Sequence, residues 1–333
     1  MWQVAGHEWA VKLLQQGLAM NRSAHAYLFV GPPQIGKTTL ALELAKALNC
    51  AGDDAPCGEC SSCAKIARGV HPDVRVVEAE EGTLKIAQVR ELQKEAILAP
   101  FEGRRRIYIL PNFQQATPDA ANCLLKTLEE PPPSVVLILT ATDMGALLPT
   151  IISRCQVLAL HSLSLEQTRQ ALQARCQATA DRVELLARLS EGRVGWAITA
   201  CRDEQVLKAR EEWIDRLVRL PEENLVGRMK AAEEFGQKAE QVPGALDLWL
   251  LWWRDILLDQ VGCQELITNI DRAASIGESA SRYEIGEIRR FIQDIQRTKT
   301  ELDGNANLRL ALEVLCMDCP SPRAREGKQA SNP

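Results

Sequence analysis

The stretch Gly31-Pro-Pro-Gln-Ile-Gly36-Lys37-Thr38 constrains this chain more than any other. It has the phosphate-loop spelling, two glycines separated by four residues and followed by Lys and a hydroxyl residue, and its flanks matter as much. The apolar run Ala26–Val30 precedes it and a helical pattern from Thr39 to Leu48 follows. A strand, a glycine turn and a helix start in that order let backbone N–H groups converge on an anion. Gly31, Gly36, Lys37, Thr38 and Thr39 are therefore candidate nucleotide-binding residues. Lys37 would place a point charge on the outer phosphates, and the Thr38 hydroxyl would ligate Mg²⁺ of an ATP-Mg²⁺ complex. A strand-to-helix turn whose nucleotide function has lapsed would carry the same spelling.

Such a loop belongs to a parallel sheet, and the surrounding sequence supplies one. Runs at Ala26–Val30, Val74–Glu78, Arg106–Leu110, Val135–Thr140 and Gln156–Leu160 alternate with helical patterns, which predicts an α/β domain over 1–160. After Leu160 the strands stop. Ser164-Leu-Glu-Gln167 reads as a capping box opening a helix, and helical patterns at 180–189 and 194–201 complete a small helical domain over 161–203. Amphipathic patterns at about 206–220, 222–240, 245–261, 283–302 and 306–317, punctuated by Pro221, Pro243, Gly262 and Gly304, predict an all-helical domain over 204–319. The polar stretch 320–333 is expected to be a disordered tail. Two or three domains suit a chain of 333 residues.

Binding and hydrolysis separate at this point. A phosphate-loop ATPase needs an Asp for Mg²⁺ and a nearby Glu at the end of a neighbouring strand. The strand Arg106–Leu110 instead runs into Pro111-Asn112-Phe113-Gln114, and Asp119 sits where a solvated helix start is expected. ATP is expected to bind here without efficient turnover.

Four of the eleven cysteines, Cys50, Cys57, Cys60 and Cys63, fall together. Four thiolates are what a closed tetrahedral Zn²⁺ site requires, and Cys60 and Cys63 are spaced to face one way at a helix start. An iron–sulfur cluster or buried free thiols would use the same residues. The other seven cysteines read as small core residues, and His7, His25, His71 and His161 as structural. The net charge of −5 gives no broad basic field, so any nucleic-acid contact must be local or shared with partners. The apolar run Leu248–Trp253 stops at Arg254, short of the roughly 20 residues of a membrane span, and the N-terminus has no secretory pattern. A cytoplasmic location is expected.

Asn122-Cys-Leu-Leu-Lys-Thr-Leu-Glu-Glu-Pro-Pro132, with Val135–Thr142, Ser153-Arg154-Cys155 and the phosphate loop, resembles the bacterial clamp-loader subunits of the AAA+ class. That group contains the gamma/tau and delta-prime subunits of DNA polymerase III. The resemblance runs over nearly the whole chain. It includes Val4-Ala-Gly-His7, similar to an adenine-proximal segment, and Asn305–Leu312, similar to a last collar helix. It implies a RecA-like AAA+ domain with a zinc module inserted near 50–63, a helical lid and an all-α collar that joins other loader subunits. Those partners would be of gamma/tau and delta type, with a sliding clamp and primed DNA engaged through the complex. The resemblance also implies that Arg154 is an arginine finger acting in a neighbour's ATP site; Thr140 or Thr142 could sense a γ-phosphate by its hydroxyl, but β-branched residues at a strand end need no such role. From the residues alone, Arg154 reads first as a surface arginine in a loop; the resemblance reverses that preference.

Two departures matter. The Asp-Glu pair of the ATP-hydrolysing gamma/tau members corresponds to Pro111 and Asn112, and Gly195 stands where those members carry a lid arginine, with Arg193 two residues earlier. Both losses resemble the delta-prime type, the stator of the assembly. The alternatives are a gamma/tau-type motor, which would show its own ATPase, and a nucleotide-regulated zinc scaffold outside replication, which would not co-purify with a clamp and polymerase. Trp249 and Trp253 share one helix face with Leu246 and Leu257; Trp252 falls off it and reads either as an interface anchor or as a contact with another helix.

Overall fold

A computed structural model describes residues 2–20, 22–304 and 306–323. Most of the stretch expected to be a disordered tail, from 324 on, lies outside the described residues, as does Asn305 of the last-helix motif. The chain divides into two compact units: residues up to Arg175 with Ser190–Ile198, and Cys176–Leu189 with the described residues from Thr199 on.

The first unit carries α1 (Glu8–Ala19), β1 (Ala26–Val30), α2 (Lys37–Asn49), α3 (Ser61–Ala67), β2 (Val74–Val76), α4 (Ile86–Ala96), β3 (Arg106–Leu110), α5 (Pro118–Glu129), β4 (Val135–Ala141), α6 (Pro149–Ile152), β5 (Gln156–Ala159) and α7 (Leu165–Arg175). Its sheet has five parallel strands in the order β2-β3-β4-β1-β5. Alternation divides each inner strand between two cores. Leu28, Tyr108, Leu110, Leu137 and Leu139 pack with Val89 and Leu92 of α4 and Leu124 and Leu128 of α5. Tyr27, Phe29, Ile107, Ile109 and Ile138 pack with Leu14 of α1 and Leu40, Leu44 and Leu48 of α2. A sheet covered on both faces needs strands that are apolar throughout, and all residues of β1 and β4 are buried. Each large apolar side chain buried here stabilises the unit by about 1.5–3 kcal/mol.

Helix ends follow local chemistry. Thr117 caps α5 by accepting from Ala120 N at 3.1 Å, with Pro118 at its first position, and the Pro131–Pro133 run follows its end. The capping box of α7 forms as expected: Ser164 Oγ accepts from Gln167 N (3.1 Å) and Gln167 Oε1 from Ser164 N (3.0 Å). Helix α6 starts at Pro149, whose fixed φ suits a first helical position.

The second unit is helical: α8 (Ala180–Leu189), the end of α9 (Val194–Arg202), α10 (Glu204–Arg219), α11 (Leu225–Gly236), α12 (Val242–Gln260), α13 (Ala273–Ala280), α14 (Ile285–Asp303) and α15 (Leu308–Asp318). Asp203 is the cap of α10 and accepts from Gln205 N at 2.9 Å. Helix α12 is the axis of the core. Trp249 and Trp253 meet Phe291 at 6.0 and 5.1 Å between ring centroids, and Trp253 meets Tyr283 at 5.0 Å. Trp252 is only 2% exposed and belongs to the same core, which decides against an interface anchor: α12 is enclosed on several sides, so the off-face position is also covered. Asp255, buried in mid-helix, is satisfied by Thr268 N (3.1 Å), Asn269 N (2.8 Å) and Asn269 Nδ2 (2.7 Å). Among the described residues no helix is long and apolar enough to cross a membrane.

Candidate functional site

The sheet is parallel, so the C-terminal ends of β1, β3 and β4 share one edge; Leu110 lies beside Leu139 and Val30 beside Ala141. The phosphate loop leaves β1 at that edge and enters α2. Gly36, at φ 104, is the N-cap, a left-handed conformation that favours glycine, and a built Cβ there meets nothing within 4 Å. No side chain caps α2, and no acidic residue lies in its first turn. The orphan N–H groups and the positive end of the helix dipole therefore fit a phosphate. Thr38 is half-buried and Thr39 exposed. Lys37 is buried; its Nζ donates to the carbonyls of Gly31 (2.6 Å) and Pro32 (2.8 Å), and burial draws its pKa down to about 8. His7 Nε2 donates to Ile35 O at 3.2 Å, which brings Val4–His7 against the loop; burial holds the ring below its ordinary pKa.

At the end of β3 the chain continues into Pro111 and Asn112, neither of which carries a carboxylate. Asn112 follows β3 in a left-handed conformation, φ 50, and its N–H donates to the buried Thr140 Oγ1 at 3.1 Å. Thr142 is exposed, and Asp119 is an exposed residue in the first turn of α5. Gly195, at the start of α9, donates its N–H to Gln34 O at 2.8 Å, and a Cβ there would stand 2.5 Å from that oxygen. Arg193 turns its Nε back to Ser190 O at 3.0 Å.

The four clustered cysteines come together. Cys50 follows the last residue of α2, Cys60 is the N-cap of α3, and all four Sγ atoms lie within 4.8 Å of one another. Zn–S bonds of about 2.3 Å set an S···S edge of about 3.8 Å, so a small adjustment closes a tetrahedron. Backbone N–H groups point at the sulfurs: Gly52 and Cys57 donate to Cys50 (3.4 and 3.3 Å), Cys60 to Cys57 (3.3 Å), Cys63 to Cys60 (3.5 Å). Such donors favour thiolates, and this donor set fits a metal ion. A backbone hydrogen bond from Ala51, with others from Cys63, lowers Cys60 to about 6, while burial pushes Cys63 up to about 12. None of the eleven cysteines is in a disulfide. Of the other seven, Cys316 and Cys319 are buried and the rest half-buried.

Arg154 lies in the turn between α6 and β5, with its side chain one-third exposed. Its Nη1 donates to Thr150 O (2.9 Å) and Ser153 Oγ (3.3 Å), and its Nη2 pairs with Glu129 Oε1 at 2.7 Å. Two carboxylates here escaped the sequence reading. Glu129 had as its signal only its place in the Leu124–Pro132 segment. Asp73, buried, accepts from Phe101 N (2.7 Å), Glu102 N and Gly103 N (2.8 Å each) and pairs with Arg106. Burial opposes the charge on Asp73, yet these donors outweigh it and hold its pKa below the ordinary value.

The family described as DNA polymerase III, delta subunit, matches residues 6–164, and its C-terminal counterpart matches residues 204–319. The delta' subunit of DNA polymerase III from Bacillus subtilis is 31% identical over 312 residues, 92% of this chain and 94% of that one. The tau subunit from Escherichia coli K12 is 38% identical over 196 residues, 57% of this chain, which thereby spans 30% of that longer protein. A gamma subunit-related protein of Thermotoga maritima aligns at a TM-score of 0.49 and 17% identity, over 91% of this chain and 97% of that one, a likeness too slight to add to the assignment. The near end-to-end match with a delta' subunit, together with the family match over residues 6–164, shows that this chain belongs to the delta' family of DNA polymerase III clamp-loader subunits.

Proposed function

We propose that this chain is the stator of its clamp loader, a subunit that completes a neighbour's ATP site instead of turning over ATP itself. The observation that carries this reading is the pairing of an anchored, part-exposed Arg154 with a phosphate loop that has Pro111 and Asn112 where an Asp-Glu pair would stand. A guanidinium is planar and permanently charged, and at a neighbour's γ-phosphate it stabilises charge that develops in the transition state. Gly31, Gly36, Lys37, Thr38 and Thr39 would hold ATP-Mg²⁺ in a structural role, and Cys50, Cys57, Cys60 and Cys63 would hold Zn²⁺, which supplies a fold staple. In this reading 1–160 is the nucleotide domain, 161–203 the lid and 204–319 the collar that joins gamma/tau- and delta-type subunits. The assembled complex places a sliding clamp on primed DNA in the cytoplasm.

The test is reconstitution of the loader with Arg154→Ala. Assembly should persist, since one part-exposed guanidinium contributes little to stability. Clamp- and DNA-stimulated ATPase and clamp loading should fall about tenfold or more, and Arg154→Lys should rescue poorly. Unchanged clamp loading at saturating ATP would return Arg154 to an ordinary surface role.

A further inference from the structure

The proposed finger is held by its own chain, and the residue that holds it stands in an unfavourable place. Glu129 is the last residue of α5, where the negative end of the helix dipole disfavours a carboxylate. Its side chain is half exposed, so water could solvate it without a partner. Instead Glu129 Oε1 meets Arg154 Nη2 at 2.7 Å, while the end of α6 takes Nη1 through Thr150 O at 2.9 Å and Ser153 Oγ at 3.3 Å. Pro131 to Pro133 follow after Glu130 and restrict the backbone just past the end of α5. Two elements distant in sequence thus converge on one guanidinium. Three acceptors use three of its five N–H donors, so Nε–H and one Nη2–H remain for a further anion.

We propose that Glu129 is a positioning residue for Arg154. It selects one arrangement of a long, many-rotamer side chain before the neighbouring subunit's phosphate arrives, which removes the ordering step from catalysis. The inference rests on the finger reading of Arg154 given above.

The experiment uses the reconstituted loader with single and double variants. Glu129→Ala should lower the stimulated kcat about three- to tenfold and leave KM for ATP unchanged, because ATP is held by the neighbour's own phosphate loop. Glu129→Gln keeps a carbonyl acceptor and should retain more activity than Ala; it also serves if Ala perturbs the end of α5. The double variant Glu129→Ala/Arg154→Ala should be no slower than Arg154→Ala alone, since the two side chains act as one unit. If Arg154→Ala slows the complex while both Glu129 variants do not, the positioning role is overturned and the finger stands. A faster Glu129→Ala complex would also overturn it, and would make the carboxylate a restraint on the arginine. If Arg154→Ala itself has no effect, the finger reading fails and this inference fails with it.

Discussion

Lys37 carries its charge in a place that disfavours charge. Its partners are the Gly31 and Pro32 carbonyls, and burial draws the ammonium's pKa down to about 8, well below an ordinary lysine. The charged form dominates below that pH and the neutral amine above it. Nucleotide affinity should therefore fall as pH rises from about 7 to 9, and the fall should flatten in Lys37→Ala. At pH 7 the variant should bind ATP about 10- to 100-fold more weakly, given roughly 1.5–3 kcal/mol for hydrogen bonds to a charged group. Titration calorimetry across that range reads both effects, and an affinity that is flat with pH in the wild type would contradict the buried-ammonium account. Glu129 shows the opposite limit of what a sequence offers at this scale. Lys37 sits inside a spelling whose chemistry is legible, whereas nothing local tells Glu129 from Glu130; only the fold brings one of them to Arg154.

At the scale of elements, legibility followed the strength of the pattern. Strands buried on both faces read as unbroken apolar runs, and β1 and β3 have the expected bounds. Strand β2, at the sheet edge, is shorter than its apolar run because it pairs only with β3. Helix α13 was not foreseen: Ala273-Ala-Ser-Ile-Gly-Glu-Ser-Ala280 is built of small residues and offers little apolar stripe, and it buries mainly Ile276 and Ala280. Trp252 was ambiguous because a helical wheel shows faces and not what surrounds them. Its burial in the helical core predicts that Trp252→Ala costs about 3–5 kcal/mol, the range for truncating a large aromatic in a close-packed interior. Urea unfolding followed by tryptophan fluorescence should show the loss. A cost under about 1 kcal/mol would mean that this side chain is not part of the close-packed interior.

For the molecule as a whole, the cysteine module is a region of irregular backbone gathered around four sulfurs. Between Cys50 and Cys60 the chain has neither helix nor strand, and hydrogen bonds to sulfur from Gly52, Cys57 and Cys60 organise it. With Cys60 near 6 and Cys63 near 12, the thiols do not ionise together unless a cation draws the protons off, so metal uptake should release protons. The purified protein should contain one Zn²⁺. Its removal by a chelator, or Cys60→Ser, should lower the thermal midpoint by several degrees and open residues 50–63 to protease. Full-length protein without zinc and with unchanged melting would exclude a structural metal. The contact between Gly195 and the phosphate loop has a different reach. The Gly195 backbone lies so close to Gln34 that any side chain would collide with a carbonyl oxygen at 2.5 Å, and an arginine there would have to displace the loop it was meant to serve. Under the stator reading proposed above, one codon change would not install a lid arginine at 195, because backbone packing would have to loosen first; that packing would act as an evolutionary ratchet.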